Sequence, residues 1–266
     1  MQSTLEFTET LAKKTGDLLM SYYHPEGIKS TLKPDKTVVT EADLAADEFI
    51  SMGISENYPQ ELILSEEANT ITDGDKSTVW IIDPLDGTNN FSQGLAIWGV
   101  SIARVVNGYP ETAALYFPVV NELYSAQKNV GAFYNQTQIK LNSKNKRPET
   151  GIFTCCTRTL KYYKTSIPYT TRIWGSTTYD MCNVARGTVA IGFQATPKIW
   201  DIAAGWLVLQ EAGAQVSVLA GPDPFPLKPS QDYDKFDFPI YMTINQTLSD
   251  MAQKNIKNNK ALSGAI

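Results

Sequence analysis

The chain has 266 residues, with 28 acidic and 23 basic side chains and a formal net charge of −5 at pH 7. Hydrophobic residues make up 42% and charged residues 19%, which is typical of a globular protein and excludes a disordered one. A surface of net negative charge repels nucleic acid, and no stretch approaches the roughly 18 apolar residues of a membrane span. We therefore expect neither a nucleic-acid nor a membrane partner.

Cysteine usage and the N-terminus indicate where the protein works. Cys155, Cys156 and Cys182 form no CxxC pair, and so few cysteines favour reduced thiols in a cytosolic setting. Residues 1–23 are amphipathic and lack the continuous apolar region of a secretory signal. We expect a cytoplasmic protein, or one in an organelle stroma if a transit peptide has been removed.

The first half predicts two helices. Apolar residues recur at helical spacing over residues 5–22, which favours an amphipathic helix. Thr40 followed by Asp43 resembles a capping box, so a second helix should cover about 41–57.

Strands are expected to follow. The apolar runs 62–64 and 79–82 are each followed by acidic residues, which we expect in loops. An Asn-Gly turn at 107–108 predicts a hairpin within a meander. The meander strands are expected at 96–106, 112–116, 122–126 and 131–134.

The second half alternates strands with helices after a polar boundary segment at 142–150. Strands are expected at 152–157, 189–193, 215–219 and 240–244. Helices are expected after Ser176 through Cys182 and ending near Gly187, at 202–212 before Gly213, and from 247. The pattern predicts a mixed α/β (α+β) fold of layered helices and sheets. We expect an N-terminal sub-domain over 1–145, with the metal-binding motifs, and a C-terminal one over 146–266, which supplies Asp201 and the substrate pocket.

The segment most informative about chemistry is Ile-Ile-Asp-Pro-Leu-Asp-Gly-Thr at 81–88. Two carboxylates held close together repel, so Asp83 and Asp86 in their ionised forms need a cation nearby. Mg²⁺ takes carboxylate oxygens together with substrate phosphate, and the amides of Gly87 and Thr88 could cradle that phosphate. A polar surface turn is the alternative, because Asp, Pro and Gly are common turn formers.

Other acidic residues stand where they could join this site. Glu66 and Glu67 follow the strand at 62–64, although such a pair is also common on a solvated surface. Asp201 precedes an apolar helix, where it could serve simply as the N-cap. Asp43 has a similar alternative as a helix-start residue.

Two other hydrolytic mechanisms fit poorly. The single histidine, His24, lies in a Pro/Gly turn, so a Ser-His-Asp or Cys-His mechanism lacks its base. Haloacid-dehalogenase-type phosphatases use Asp-x-Asp-x-Thr near the chain start. Here two residues, and not one, separate Asp83 from Asp86, and the pair lies well inside the chain.

Four segments together resemble the motifs of the inositol monophosphatase family. Residues 80–91 (Trp-Ile-Ile-Asp-Pro-Leu-Asp-Gly-Thr-Asn-Asn-Phe) resemble its first signature, and 200–205 (Trp-Asp-Ile-Ala-Ala-Gly) resemble its second. Residues 65–67 (Ser-Glu-Glu) are similar to its Gly-Glu-Glu, and 39–43 to its early threonine-acid motif. The resemblance implies a layered αβαβα sandwich, usually dimeric. It also implies a Mg²⁺-dependent, Li⁺-sensitive phosphatase that hydrolyses small phosphate monoesters with a metal-activated water.

The resemblance also implies a role for each matching residue. Glu66, Asp83 and the Leu85 carbonyl would bind the first metal, and Asp83, Asp86 and Asp201 the second. Glu66 would also help to hold a weaker third ion, giving two to three Mg²⁺ per site. Asp43, Thr88 and Glu66 would be catalytic, with the Asp43–Thr88 pair orienting the water. The implied substrate contacts are Asp86, Gly87, Thr88, Gly175, Ser176, Thr177, Gln194 and Asp201.

One departure bears on the substrate. Gln194 stands where animal inositol monophosphatases carry a sugar-contacting Glu, and a neutral amide differs in charge and donor pattern. Phosphatase chemistry is thus better indicated than inositol monophosphate as its substrate. Fructose 1,6-bisphosphate, histidinol phosphate and a 3′-phosphonucleotide stay open, as does a non-catalytic binding protein that retains the fold.

Overall fold

The computed structural model describes residues 2–32, 38–68, 70–72, 77–141 and 149–259. Within these ranges no helix combines the length and the apolar character needed to cross a bilayer. The helices are α1 (Thr4–Tyr22), α2 (Glu41–Asn57), α3 (Thr88–Ser92), α4 (Thr157–Tyr162), α5 (Thr177–Ala185), α6 (Ile199–Ala212) and α7 (Gln246–Asn255).

The strands of the described residues fall into two main sheets. A larger sheet has the order β3-β4-β5-β6-β7-β8-β9, and a smaller one has the order β12-β10-β13-β15-β14. The strands of the first half are β1 (Thr31–Leu32), β2 (Val38–Val39), β3 (Leu62–Ser65), β4 (Thr78–Asp86), β5 (Gly99–Val106), β6 (Tyr109–Phe117), β7 (Glu122–Gln127), β8 (Gly131–Tyr134) and β9 (Thr137–Ile139). Those of the second half are β10 (Ile152–Cys155), β11 (Tyr163–Thr165), β12 (Thr170–Arg172), β13 (Ile191–Gln194), β14 (Gln215–Val218), β15 (Ile240–Thr243) and β16 (Ile256–Asn258).

The larger sheet is buried on both faces, and β4 shows why. Successive side chains of a strand point to opposite faces. Trp80 and Ile82 pack with α1 and α2 in one core, whereas Val79 and Ile81 pack in a second core with residues of α5 and α6. The fully apolar stretch 79–82 of β4 therefore lies between two layers of helices.

The smaller sheet also separates two layers. Gly192 on β13 lies against Val184 of α5. The next residue, Phe193, points the other way and packs edge-to-face on Tyr163, with ring centroids 4.7 Å apart. Helix α7 covers that second side and buries Leu248. The layers thus run α1/α2, larger sheet, α5/α6, smaller sheet, α4/α7, and the expected αβαβα fold is confirmed.

Local signals placed the long elements well. Thr40 and Asp43 form the reciprocal capping box that begins α2. Asn107 and Gly108 both adopt positive φ in the turn between β5 and β6. Gly213 ends α6 in the left-handed conformation, with φ of +85°.

Two local expectations are wrong. Strand β4 does not end at Ile82: it continues to Asp86, and its pairing with β5 shifts register between Asp83 and Asp86. A bulge lets a strand continue past a proline, which has no N–H for the ladder. Asp201 is not the N-cap of its helix, because α6 already begins at Ile199 and Asp201 is its third residue.

Other differences concern boundaries and short elements. The strand expected over 152–157 ends at Cys155, because α4 begins at Thr157. The short elements α3, α4, β9, β11, β12 and β16 escaped prediction, since a few residues show no periodicity.

The division into sub-domains at residue 145 stays a prediction. Most of the boundary segment, 142–148, lies outside the described residues. Helix α6 of the second half packs on β4, β5 and β6 of the first. One continuous core joins the two halves.

Candidate metal and substrate site

Three carboxylates from distant parts of the sequence meet at one edge of the larger sheet. Glu66 directly follows β3, whose parallel pairing sets Ser65 beside Ile82. Asp83 is the next residue of β4, and Asp201 lies in the first turn of α6, which packs on β4. One carboxylate oxygen from each residue lies within 4.8 Å of the others. We call Glu66, Asp83 and Asp201 the acidic cluster.

The electrostatics of the acidic cluster favour a cation. Burial raises the pKa of Asp83 well above its usual value, and the negative charges of Glu66, Asp86 and Asp201 raise it further. Burial, Glu66 and Asp86 act in the same direction on the pKa of Asp201. Oxygen ligands of this kind suit a hard divalent ion such as Mg²⁺, so the donor set fits the metal that the resemblance implies.

Asp86 acts electrostatically on Asp83 and Asp201 and is hydrogen-bonded to the start of α5. Its Oδ2 accepts hydrogen bonds from Ser176 Oγ (2.5 Å), from Thr178 N (2.8 Å) and from the Thr178 hydroxyl. Its Oδ1 accepts one from Thr177 N at 3.3 Å. Burial raises the pKa of Asp86, and the bonds from Ser176 and Thr178 oppose that rise. The structure thus ties Asp86 to the start of α5, and its role as a metal ligand stays a prediction.

The hydrogen bond expected between Thr88 and Asp43 is present. Thr88 Oγ1 lies 3.0 Å from Asp43 Oδ1 and 2.9 Å from the Leu85 carbonyl oxygen. Asp43 Oδ2 accepts from both the backbone N (2.7 Å) and the hydroxyl (2.6 Å) of Thr40. The capping box of α2 therefore fixes the carboxylate that the Thr88 hydroxyl meets, while the orientation of a water by this pair stays a prediction.

Gly87 is required by the backbone. Its φ is +89°, and a Cβ added there would stand 3.0 Å from the Ile97 carbonyl oxygen. This turn begins α3 with Thr88. Contact of the Gly87 and Thr88 amides with phosphate stays a prediction.

A cavity of about 340 Å³ opens beside the acidic cluster. It is lined by the predicted substrate residues Asp86, Gly175, Ser176, Thr177, Gln194 and Asp201. Gly87 and Thr88 do not line it. The lining residues that sequence analysis missed are Asn89, Asn90, Cys156, Thr157, Arg158, Ile173, Asp180, Thr196 and Pro197. His24, expected in an exposed turn, is exposed.

Asn90 holds one wall of the cavity in place. Its buried amide donates to the carbonyl oxygens of Ile97 and Trp174, both at 2.6 Å. The amide also lies against Gly175, whose φ of +79° suits a residue without Cβ. The sequence signal was the second Asn of the 80–91 segment, but a partner 84 residues away cannot be derived from it.

Asp180 forms the floor with Gln194. The Gln194 amide donates to Asp180 Oδ2, and the Thr154 hydroxyl donates to Asp180 Oδ1. Burial raises the pKa of Asp180 well above its usual value, and these two bonds oppose the rise. A lone acid between Tyr179 and Met181 of the predicted helix was its only sequence signal.

The three cysteines are free, and only Cys156 is more than slightly exposed among them. Burial raises the pKa of the Cys155 thiol to about 12. Cys182 is buried too, which raises the pKa of its thiol.

Comparison with known proteins adds family information to this geometry. A sequence model described as "Inositol monophosphatase family" matches residues 1–238. A Pasteurella multocida protein named Nus factor SuhB is 34% identical over 231 residues, covering 81% of this chain and 85% of that protein. The Escherichia coli K12 protein of the same name is 33% identical over 232 residues, covering 83% and 87%.

Solved structures show the same fold. The IMPase of Thermotoga maritima aligns with a TM-score of 0.78 and 28% identity, covering 94% of this chain and 95% of that one. The extragenic suppressor protein SuhB of Bartonella henselae aligns with a TM-score of 0.76 and 26% identity, covering 97% of both chains.

Proposed function

Because the chain belongs to the inositol monophosphatase family, we propose that it is a Mg²⁺-dependent phosphatase of small phosphate monoesters. The observation that carries this proposal is the convergence of Glu66, Asp83 and Asp201. These three carboxylates, which come from the residue after β3, from β4 and from α6, repel one another unless a cation is bound. Beside a polar cavity they are suited to phosphoryl transfer, which depends mainly on positioning and charge neutralisation.

Bound Mg²⁺ would supply positive charge for the phosphate oxygens and a more acidic water as nucleophile. The chain's own groups would do the rest. The Asp43–Thr88 pair can accept and direct a proton of that water, since Asp43 is held by Thr40. Asp86 would hold Ser176 and Thr177 in place in the cavity wall, because both donate hydrogen bonds to its carboxylate.

The finer assignments belong to the same proposal. Inositol monophosphate heads the substrates to be tested, followed by fructose 1,6-bisphosphate, histidinol phosphate and a 3′-phosphonucleotide. Gln194, which donates to Asp180, lines the cavity as a neutral group that would meet the alcohol portion of the substrate. A homodimer, two to three Mg²⁺ per site, Li⁺ sensitivity and a cytoplasmic location are also carried forward as predictions.

The test is phosphate release from a panel of monoesters, with and without Mg²⁺, for the wild type and Asp83→Asn. We expect the variant to lose at least about 1,000-fold in kcat/KM, or roughly 4 kcal/mol of transition-state stabilisation. Asp250→Asn, at an exposed position of α7, is the matched control and should keep full activity. Near-normal turnover by Asp83→Asn would contradict the ligand assignment.

A role as a Nus factor is the second candidate, because the relatives from P. multocida and E. coli carry that name. It corresponds to the non-catalytic alternative, in which the fold is kept for binding. Absence of release from every monoester by the folded, Mg²⁺-loaded protein would favour it. Mg²⁺-dependent release that Asp83→Asn abolishes would favour the phosphatase.

A further inference from the structure

The charges around the cavity are uneven. Its described lining contains three carboxylates, those of Asp86, Asp180 and Asp201, and one basic side chain, that of Arg158. Each carboxylate already has a structural assignment: Asp86 is bonded to the start of α5, Asp180 to Gln194 and Thr154, and Asp201 belongs to the acidic cluster. The guanidinium of Arg158 is the charged group of this lining to which the proposed phosphatase site gives no role.

Arg158 lines the same cavity as Asp201. It is an exposed residue of α4, and its Nη1 donates to Thr196 Oγ1 at 3.0 Å. Thr196 lies in the segment that leads into α6. While burial, Glu66 and Asp86 raise the pKa of Asp201, the charge of Arg158 acts in the opposite direction. Arg158 and Asp201 therefore line one cavity, and the charge of the guanidinium acts on the carboxylate.

The chemistry of arginine narrows what it would bind. Its planar fork carries five N–H donors, so one bond to Thr196 is compatible with a second, bidentate bond to an anion. Charge-assisted pairs of this kind favour phosphate or carboxylate over neutral hydroxyl groups. The cavity volume, about 340 Å³, is at the lower end of the range for small-molecule sites, which suits a compact ligand.

We propose that Arg158 binds a second anionic group on the substrate, so that compact phosphate monoesters with a further phosphate or carboxylate are preferred over monophosphates of neutral polyols. This inference rests on the proposed phosphatase function and specifies its substrate class. The cleaved phosphate lies at the acidic cluster and the second anion at Arg158. Arg158 is thus a specificity residue and not part of the hydrolytic chemistry.

The test uses two matched substrate pairs. Fructose 1,6-bisphosphate against fructose 1-phosphate tests a second phosphate, and 3-phosphoglycerate against glycerol 3-phosphate tests a carboxylate. For the wild type we expect kcat/KM to be at least tenfold higher, in one or both pairs, for the member that carries two anionic groups. The pair that shows the difference identifies the second anion, and no difference in either pair overturns the proposal.

Variants then assign the preference to the guanidinium. Arg158→Gln should lower that ratio about tenfold, through a higher KM for the member with two anionic groups and a smaller change in kcat/KM for the member with one. Arg158→Lys should fall between, because it keeps the charge and loses the fork. Lys161→Gln removes a charge from the same helix at an exposed residue outside the cavity lining and should leave the ratio unchanged.

Two outcomes with Arg158→Gln would also overturn the proposal. A third result would test the anion site even if the phosphatase function itself is wrong. An equal loss for both members of a pair, with a higher Mg²⁺ requirement, would show that Arg158 acts through Asp201. An unchanged ratio in Arg158→Gln would remove its role in selection. If no ester is hydrolysed, the phosphatase function fails, and calorimetric binding of the bisphosphate still decides: weaker binding by Arg158→Gln supports the anion site, and equal binding overturns it.

Discussion

Two groups of acidic side chains lie near opposite ends of β4, and they differ in whether a basic side chain neutralises them. Near its start, Trp80 donates its indole N–H to Glu61 Oε2 at 2.6 Å, and Arg104 on β5 pairs with Glu61 at 2.5 Å and with Glu111. Glu61 raises the pKa of Arg104. We call Arg104, Glu61 and Glu111 the Arg104 network.

Nearer the end of β4, like charges meet instead. Burial raises the pKa of Asp83, and so do Glu66, Asp86 and Asp201. The Arg104 network receives its cation from the next strand, whereas the acidic cluster is arranged for one from solution. Acidic residues alone therefore do not mark a metal site; the sign of the charges around them does.

The largest change is expected from breaking the balanced group. Arg104→Gln would leave Glu61 and Glu111 without their cation, in a place where Arg104 and Glu61 are each only 16% exposed. Removing one partner of a buried pair costs about 3–5 kcal/mol. For these partly exposed groups we expect urea denaturation to show a loss of about 2–4 kcal/mol in the free energy of unfolding.

The control for this variant is Lys235→Gln. The Lys235–Asp232 ion pair spans 3.1 Å, but Lys235 is 76% exposed, and such exposed pairs contribute little to stability. The Mg²⁺ dependence of activity should be the same in both variants. Equal losses of stability would show that the Arg104 network is no stronger than a surface ion pair.

A smaller change of opposite sign is expected in the acidic cluster. Without Mg²⁺, Asp83→Asn removes one of the repelling charges, so the free energy of unfolding at pH 7 should rise, by about 1–2 kcal/mol. The raised pKa of Asp83 means that its ionised form is less stable in the folded protein than in the unfolded chain. The wild type therefore loses stability as pH increases through the folded-state pKa.

The measurement is urea denaturation in EDTA and then in Mg²⁺. Wild type should be stabilised by Mg²⁺, since binding to the folded state alone stabilises it, and the variant should respond much less. A variant that is less stable than wild type in EDTA would mean that the cluster is not held under repulsion.

The smallest effect concerns Asp180, a buried acid outside the cluster. Its pKa is raised by burial, so its contribution to stability is fully present below its unfolded pKa of about 3.9 and is lost as pH rises through the higher folded value. Asp180→Asn should therefore gain on wild type, by roughly 1 kcal/mol or less, between pH 5 and pH 8. Thermal unfolding at both values, with Asp250→Asn as control, checks this. If the stability difference between Asp180→Asn and wild type narrowed as pH rises, burial would not be what raises the pKa of Asp180.

The sequence predicted best what adjacent residues decide. Thr40 and Asp43 set the start of α2, and Asn107 with Gly108 set the β5–β6 turn, because each pair acts within one turn of chain. The αβαβα layering and the acidic cluster came from motif resemblance, since spacing alone does not tell which strand ends meet.

What escaped prediction depends on long-range contacts. Ser176 reaches Asp86 over 90 positions, and Asn90 reaches Trp174 over 84. The hydrogen bonds of Asp86 to α5, the Asp180–Gln194 pair and the place of Arg158 on the cavity wall follow from how the two sheets pack. The bulge in β4 was missed for a similar reason, because it is defined by the partner strand β5.

The bonds that tie Asp86 to α5 have an evolutionary consequence. This carboxylate accepts from Ser176 and Thr178 while its charge acts on Asp83 and Asp201. A mutation that reshapes the start of α5 for a new alcohol would disturb the ion-binding end at the same time. Divergence of selectivity in this lineage should therefore proceed more readily through the opposite wall, where Arg158 can change without moving Asp86.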